Sequence, residues 1–207
     1  TPKPGWAEQN PVDWYNATIK CIKEILKKSK VRGEEIKGIG LTGQMHGSVF
    51  LDEKFNVIYP AILWCDQRTA KECDDINEIV GRERIFEITC NPVLTGFQAP
   101  KIIWLKKNHP EIYKNVRKIL LPKDYVRFCL TGEFSTDVSD ASGTSLFDVR
   151  NRKWSEEILE KLQIPLEFLP KVYEGTEITG YIKKDIAKLT GLTEKTPVVA
   201  GGGDQAA

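Results

Sequence analysis

The sequence contains only two histidines, and its five cysteines include no Cys-x-x-Cys pair. This scarcity argues against a zinc site built from cysteine and histidine. The odd number and wide spacing of the cysteines give no disulfide framework, which indicates a reducing, cytoplasmic compartment. No apolar run approaches the roughly 20 residues that span a bilayer, and no signal peptide opens the chain. The sequence therefore predicts a protein without a membrane partner.

An excess of one charge is also missing, because 30 lysines and arginines balance 29 aspartates and glutamates over 207 residues. The formal net charge of +1 argues against a nucleic-acid-binding protein that works through a global basic field. Hydrophobic residues make up 41% of the chain, which is typical of a globular protein with a substantial core. The length fits one domain or two small ones.

Both ends of the sequence predict a fragment of a longer protein. The first residue is Thr1 rather than methionine, and the chain stops at Ala207, just after a glycine-rich segment. The apolar run Pro197–Ala200 before that segment is bounded by turn signals, as a buried strand would be. The alternative is a complete small domain with a frayed tail, which would give the same two ends.

Hydrophobic periodicity predicts an α/β domain with strands early and late and helices in the middle. Asn10 and Pro11 are typical of a helix start, and apolar residues then recur at helical spacing. The first three predicted strands are joined by short turns, which favours an antiparallel element inside a mixed sheet. The predicted strands are 36–42, 48–51, 57–64 and 197–200. The predicted helices lie within 68–108 and at 122–130, 154–162 and 184–189.

The first segment that can carry chemistry is Gly43–Gly47, at the end of a predicted strand. Its glycines allow a ligand or another backbone to come close. Met45 offers an adaptable apolar wall, and His46 offers a polar tip. A histidine in such a turn can equally be a structural residue with satisfied hydrogen bonds.

The second segment contains Trp64, Asp66 and Arg68. An aromatic ring beside an acid and a guanidinium is a common way to bind a sugar, because the ring stacks and the polar groups take the hydroxyls. The alternative is an Asp66–Arg68 pair at the start of the following helix.

The third segment is Gly201–Gln205, where a buried strand delivers three glycines, a carboxylate and an amide. Asp204 could accept a proton from a substrate hydroxyl. A phosphate-cradling loop would need a Gly-x-x-x-x-Gly-Lys-Ser/Thr motif, which is absent, and an acid there would repel phosphate. A plain turn is the other alternative. The aspartates of 136–148 do not have calcium-loop spacing, so we interpret them as capping and turn residues.

Taken in order, these segments resemble the FGGY family of carbohydrate kinases, and within it the members that phosphorylate D-xylulose. The similarity runs along essentially all 207 residues. No single motif decides the resemblance, but the ordered set is highly specific. The segments that carry it are 1–11, Gly43–Gly47, Pro60–Arg68, Gly96–Lys101, Leu121–Tyr125, Thr131–Glu133, Ser139–Thr144, Glu174–Gly180 and Gly201–Asp204.

The resemblance implies that residues 1–207 are an incomplete ribonuclease H-like (actin-like ATPase) N-terminal domain, the sugar-binding part of a sugar kinase. It further implies that the family's phosphate turn lies upstream and its nucleotide lobe downstream, so the fragment itself should be inactive. Asp204 matches the catalytic base, while Met45 and His46 match the substrate-binding pair. Gln205 stands where a neighbouring amide, often asparagine, contacts the sugar. Trp64 and Asp66 complete the expected substrate-binding set.

The activity implied by the resemblance is transfer of the γ-phosphoryl group of MgATP to the C5 hydroxyl of D-xylulose. The expected partners are a sugar and ATP, without nucleic acid, without a membrane and without a metal site on the chain itself; a homodimer is compatible with the family. Two alternatives stay open. One is a related kinase for gluconate, ribulose or fuculose, and the other is a non-catalytic sugar-sensing protein with the same fold.

Overall fold

The computed structural model describes all residues from Thr1 to Ala207. The longest helix, α1 (Pro11–Ser29), forms where the sequence places a polar cap before a proline. The Asn10 side chain accepts a hydrogen bond from the backbone N–H of Val12 at 3.1 Å, as predicted for an N-cap. The helix ends at Lys30, whose φ of 61° is left-handed. No helix of the structure is both long and apolar enough to cross a membrane.

A four-stranded antiparallel sheet forms the centre of the larger half of the molecule. Its strands are β1 (Glu8–Gln9), β3 (Ser48–Leu51), β4 (Val57–Ile62) and β5 (Lys118–Leu120), in the order β1-β4-β3-β5. The predicted pairing of 48–51 with the segment after it is confirmed, with Ser48 opposite Ile62. Val49, Phe50 and Leu51 are fully buried, since β3 is covered on both faces.

The first predicted strand, 36–42, is only partly formed. It makes an isolated parallel bridge from Ile39 to Val198 and then the two-residue strand β2 (Thr42–Gly43). It does not join the β3–β4 sheet, so the expected three-stranded antiparallel element is wrong at this strand. The glycines in this segment weaken regular strand pairing, but they allow the parallel neighbouring strand to come close.

The helical middle follows the prediction closely. Gly132 closes one of these helices with a left-handed φ of 84°, as expected for a C-terminal glycine. A single π-helical turn, Asn77–Gly81, separates the first two helices. The helices are α2 (Ala70–Ile76), α3 (Arg82–Thr89), α4 (Gln98–Asn108), α5 (Pro110–Tyr113) and α6 (Pro122–Thr131).

The last third of the chain alternates short strands and helices. The remaining strands are β6 (Ser135–Asp137), β7 (Phe147–Asp148), β8 (Lys153–Trp154), β9 (Lys171–Tyr173), β10 (Ile178–Tyr181), β11 (Pro197–Val199) and β12 (Gly202–Gly203). The remaining helices are α7 (Val138–Ser142), α8 (Glu156–Leu162) and α9 (Lys184–Thr190), with a 3-10 turn at Leu166–Phe168. β6 pairs with β9 in parallel, whereas β7–β8 and β10–β11 are antiparallel pairs.

Three apolar clusters hold the elements together. The largest contains 24 buried residues and joins the four-stranded sheet to helices α2–α4 and α8. A second joins α1, α6, α9 and β11, and a third packs α6 against the other face of the sheet. Helix α6 contributes to the second and third clusters, which fixes its N-terminus beside the β2 loop.

Candidate active site

The predicted site is assembled by the parallel pairing of β2 with β12. Gly202 lies opposite Thr42, and Gly203 lies opposite Gly43. The backbone N–H of Asp204 then donates to the Gly43 carbonyl at 3.0 Å. Two segments about 160 positions apart in sequence are thereby held side by side. The turn with Met45 and His46 and the loop with Asp204 and Gln205 therefore begin side by side, at the ends of β2 and β12.

Glycine is required at this junction for two different reasons. A Cβ on Gly203 would lie only 2.7 Å from Cγ of Met45, so the absence of a side chain lets the two loops touch. Gly201 has a left-handed φ of 79°, and a Cβ there would lie 2.0 Å from the carbonyl oxygen of Leu41. The glycine run therefore serves close approach of the Asp204 loop to the Leu41 backbone and to the Met45 side chain.

His46 lies in a compact setting between three loops. Its backbone φ is 67°, and its Nδ1 lies 2.7 Å from the carbonyl oxygen of Gly143. Because a carbonyl only accepts hydrogen bonds, Nδ1 carries the proton. The ring stacks on Phe97 with centroids 4.5 Å apart and planes 15° apart. Burial lowers the pKa of His46, and the Lys101 ammonium acts in the same direction, against the Gly143 carbonyl and the charge of Asp204.

These contacts define what the His46 ring can do. A neutral imidazole with its proton on Nδ1 leaves Nε2 as a hydrogen-bond acceptor. Such an atom can accept a hydrogen bond from a sugar hydroxyl. The lowered pKa of His46 keeps the ring in this neutral form at pH 7.

The catalytic candidate Asp204 and its neighbour Gln205 are both exposed. Asp204 is close enough for its charge to act on the His46 ring. Met45 is half-buried between the two loops. The β2–β12 pairing thus brings the Met45–His46 turn next to the loop that carries Asp204 and Gln205, which lie at the surface.

Trp64 flanks the same region with 56% of its side chain exposed. Its loop is tied to the loop before Phe97, because the Thr69 hydroxyl donates to the Thr95 carbonyl and the Thr95 hydroxyl donates to the Gln67 side chain, at 3.1 and 2.8 Å. The Trp64 loop therefore lies beside the loop that carries Phe97, and an exposed aromatic ring is the kind of group that stacks on a sugar face.

Comparison with known proteins agrees with this geometry. The N-terminal domain of the FGGY family of carbohydrate kinases matches residues 1–207. The chain belongs to the FGGY family of carbohydrate kinases. It is 44% identical to the xylulose kinase of Lactococcus lactis subsp. lactis over 207 residues, covering 100% of this chain and 41% of that protein. The chain therefore spans about two fifths of the length of such relatives.

Solved structures of FGGY kinases share the fold. A ligand-bound xylulose kinase from Lactobacillus acidophilus superposes with a TM-score of 0.91 at 27% identity, covering 99% of this chain and 41% of that one. A gluconate kinase from the same organism gives the same TM-score, 0.91, identity, 27%, and coverage, 99% and 41%. The expected α/β class and actin-like ATPase fold are confirmed.

One predicted contact of this FGGY domain is corrected by the structure. Asp66 has no exposed surface, and its carboxylate accepts hydrogen bonds from Nε and Nη2 of Arg68 at 2.9 and 2.7 Å and from the Ala7 backbone at 2.6 Å. Arg68 also pairs with Glu8 at 2.7 Å and stacks 3.6 Å above the Trp6 ring. Asp66 is therefore a buried structural anion, the alternative that the sequence left open, and not a direct sugar contact.

Beneath the Asp204 loop lies a buried ionic cluster that sequence reasoning missed. Lys123 contacts the carboxylates of Asp124, Asp137 and Asp140 at 2.7, 2.7 and 3.2 Å, and Arg127 pairs with Asp124 at 2.6 Å. Burial, aided by the other two carboxylates and opposed by Lys123, raises the pKa of Asp140 to about 7. The sequence analysis interpreted Asp137 and Asp140 as capping and turn residues and gave no role to Asp124 or Arg127.

The same cluster reaches the Asp204 loop through Ser139. Its hydroxyl donates to the Asp137 carboxylate and accepts from the Gly203 backbone N–H, the latter at 3.2 Å. Arg127 donates in addition to the carbonyl of Ala200. The strand that leads into Asp204 is thereby fixed from below at two points. Asp137 also caps α7, accepting from the Ser139 and Asp140 backbones, as the sequence predicted for capping chemistry.

The residues of the chain form no group of three or more His, Cys, Asp or Glu side chains that could hold a metal ion. The acids nearest the site, such as Asp137 and Asp140, already contact the Lys123 ammonium.

Proposed function

We propose that the full-length protein transfers the γ-phosphoryl group of MgATP to the C5 hydroxyl of D-xylulose. The observation that carries this proposal is the juxtaposition of Asp204 with the Met45–His46 turn through the β2–β12 pairing. The choice of sugar is supported by the 44% identity to a xylulose kinase over the whole chain. The full-length protein would act in the cytoplasm, in keeping with five cysteines that form no disulfide.

We assign the sugar-binding part of the enzyme to residues 1–207. The relatives are more than twice as long, so we infer that ATP is bound largely by segments that this chain does not cover. Sugar and ATP are the proposed small-molecule partners. A homodimer is compatible with this assignment and stays a prediction.

In this proposal each side chain makes a different contact with the sugar. His46 accepts a hydroxyl hydrogen bond at Nε2, the Gln205 amide makes a second polar contact, and Met45 and Trp64 supply apolar walls. Asp66 contributes indirectly, by holding Arg68 under the Trp64 loop. The sugar is then oriented with its terminal hydroxyl toward Asp204.

Asp204 is the proposed base. Phosphoryl transfer passes through a loose transition state, so the protein contributes mainly alignment and charge stabilisation. The attacking alcohol becomes acidic only as its oxygen bonds to phosphorus. A carboxylate can therefore accept the proton late in the reaction, and the Asp204 carboxylate is exposed to do so.

A substrate panel with the purified full-length protein tests the proposal. D-xylulose, gluconate, ribulose and fuculose are compared under MgATP by coupled measurement of ADP release. We expect kcat/KM for D-xylulose to exceed that of every other sugar by at least about tenfold, because missing or misplaced hydroxyls leave site groups unpaired. Preference for gluconate would favour the activity named for the second structural relative. Absence of ADP release with every sugar tested would favour the non-catalytic alternative.

A further inference from the structure

A lysine to which the proposed chemistry gives no role is buried directly behind the His46 turn. Lys101, in the first turn of α4, has no exposed surface. Its ammonium donates to the backbone carbonyl of His46 at 2.8 Å and to that of Gly96. The nearby carboxylate of Asp66 is already paired with Arg68. The Lys101 ammonium therefore interacts with carbonyl dipoles and forms no ion pair with a carboxylate.

The two carbonyls belong to the two loops that carry the stacked rings. One is the carbonyl of His46 itself, at a residue held in the left-handed region with φ 67°. The other belongs to Gly96, the residue before Phe97. The neighbouring Gln98 side chain adds a third tie, donating to the Gly47 carbonyl at 3.3 Å. A single ammonium therefore bridges the two loops whose side chains form the His46–Phe97 stack.

Asp204 is held by a different set of contacts. Its backbone donates to Gly43, and the preceding Gly203 donates to Ser139 on α7. Lys101 makes no contact with these groups. Loss of the Lys101 ammonium should thus move the sugar-binding ring and leave the base in place.

We propose that Lys101 is a positioning residue for sugar binding, acting through the carbonyls of His46 and Gly96 to hold the His46–Phe97 stack. This inference rests on the proposed function, because it assigns His46 to the sugar. Lys101 does not touch the sugar itself, since the side chain is sealed behind the turn. Burial without a carboxylate partner is costly for an ammonium, and it lowers the pKa of Lys101 to about 7. A positioning role accounts for a cation in so unfavourable a place.

The test compares Lys101→Met with a matched lysine on the same helix, in the full-length protein. Lys106 also lies on α4 and also donates to two backbone carbonyls, those of Leu162 and Gln163 at 3.3 and 3.1 Å, but far from the His46 turn. For Lys101→Met we expect KM for the phosphorylated sugar to rise about 10- to 100-fold, the loss of bonds from a charged donor, with kcat within about threefold of the wild type. Lys106→Met should leave both constants within about twofold.

A second comparison separates positioning from general damage. In a His46→Ala background, Lys101→Met should change KM by less than about twofold, because the two residues act on one contact. If Lys101→Met fails to fold, Lys101→Gln carries the test, since its amide still donates to carbonyls; we expect an intermediate rise in KM with kcat retained.

Three results would overturn the inference. The first is a fall in kcat with unchanged KM in Lys101→Met. The second is a rise in KM on adding Lys101→Met to His46→Ala that equals the rise seen in the wild type. The third is a rise in KM in Lys106→Met as large as that in Lys101→Met. KM is measured for whichever sugar the wild type phosphorylates, so an active wild type with an unresponsive KM rejects Lys101 alone. A wild type that phosphorylates no sugar and binds none by calorimetry rejects the proposed function, and the inference with it.

Discussion

At the scale of single residues, His46 shows most clearly how neighbouring groups set the tautomer and the pKa of a side chain. The Gly143 carbonyl fixes the proton on Nδ1, and burial lowers the pKa of the ring. The stacked Phe97 ring holds the imidazole plane. The free Nε2 lone pair is the consequence of all three contacts.

Replacing His46 with alanine in the full-length protein should raise KM for the sugar about tenfold or more, through the lost hydroxyl contact. Turnover at saturating sugar should change much less, because Asp204 is anchored independently by Gly43. Steady-state kinetics with D-xylulose measures both constants. An unchanged KM would remove His46 from the sugar site.

For Asp66 we predict an effect on stability and not on KM, because it is a buried partner of Arg68 and has no access to the sugar. Asp66→Asn should reduce the stability of the full-length protein by roughly 3–5 kcal/mol, since it leaves a buried guanidinium short of one anion. Glu174→Gln, which breaks the exposed Arg152–Glu174 pair, is the control and should cause no measurable change. Urea denaturation reports both. A stable Asp66→Asn protein with a raised KM would restore Asp66 as a sugar contact.

The sequence singled out the segments Gly43–Gly47 and Gly201–Gln205 because they are rich in glycine, and the structure shows that they meet at the β2–β12 pairing. The roles of Met45, His46, Asp204 and Gln205 in binding or catalysis stay predictions. Asp66 could not be assigned this way. An acid two positions before an arginine fits a ligand site and a buried pair equally well, and only the tertiary structure shows the missing exposure.

At the scale of elements, the two-residue pairing of β2 with β12 places the loops of the site. Gly201 is its most sensitive point, since a side chain there meets the Leu41 carbonyl at 2.0 Å in a left-handed backbone. Any added atom must push the two strands apart, and Asp204 follows β12.

Gly201→Ala should therefore lower kcat in the full-length protein and destabilise it by about 1–3 kcal/mol. Gly40→Ala is the matched control on the neighbouring segment, where a Cβ would meet only a Val199 methyl at 3.7 Å. That variant should retain wild-type activity and melting temperature. Equal behaviour of the two alanine variants would contradict the role given to the β2–β12 contact.

Helix ends were the elements that the sequence predicted best. Asn10 caps the helix start that the sequence predicted, and Gly132 and Gly191 end the helices predicted at 122–130 and 184–189, because capping is decided by local chemistry. The strand predicted at 36–42 failed in part. Its pairing depends on the distant segment 197–203, and no local signal reports how many residues of such a pair will meet.

At the scale of the whole molecule, the buried ionic cluster joins α6, β6 and α7 beneath the active site. Lys123 and Arg127 supply two positive charges against the carboxylates of Asp124, Asp137 and Asp140. The cluster reaches neutrality only when one acid is protonated, which agrees with the pKa of Asp140, raised to about 7. No sequence pattern predicted this cluster, because its members become neighbours only after folding.

The raised pKa of Asp140 predicts the direction in which the stability of the protein changes with pH. The folded state holds this proton up to about pH 7, whereas the unfolded chain releases it near pH 4, so the contribution of Asp140 to stability falls as pH rises through that window. Asp140→Asn should therefore gain stability relative to the wild type between pH 4 and pH 7, by at most about 1.4 kcal/mol per pH unit. Urea denaturation of both proteins across this range tests it. A pH-independent difference would mean that Asp140 is ionised throughout.

The measurement that bears most directly on the account is the turnover of full-length Asp204→Ala and Asp204→Asn proteins, with sugar affinity determined in parallel by calorimetry. We predict that kcat falls by about 10²–10⁴-fold in both, because neither replacement side chain is a carboxylate that can accept the hydroxyl proton. Sugar binding should survive in part, since His46, Met45 and Trp64 stay in place. Turnover within about tenfold of the wild type in either variant would contradict the assignment of Asp204 as the base.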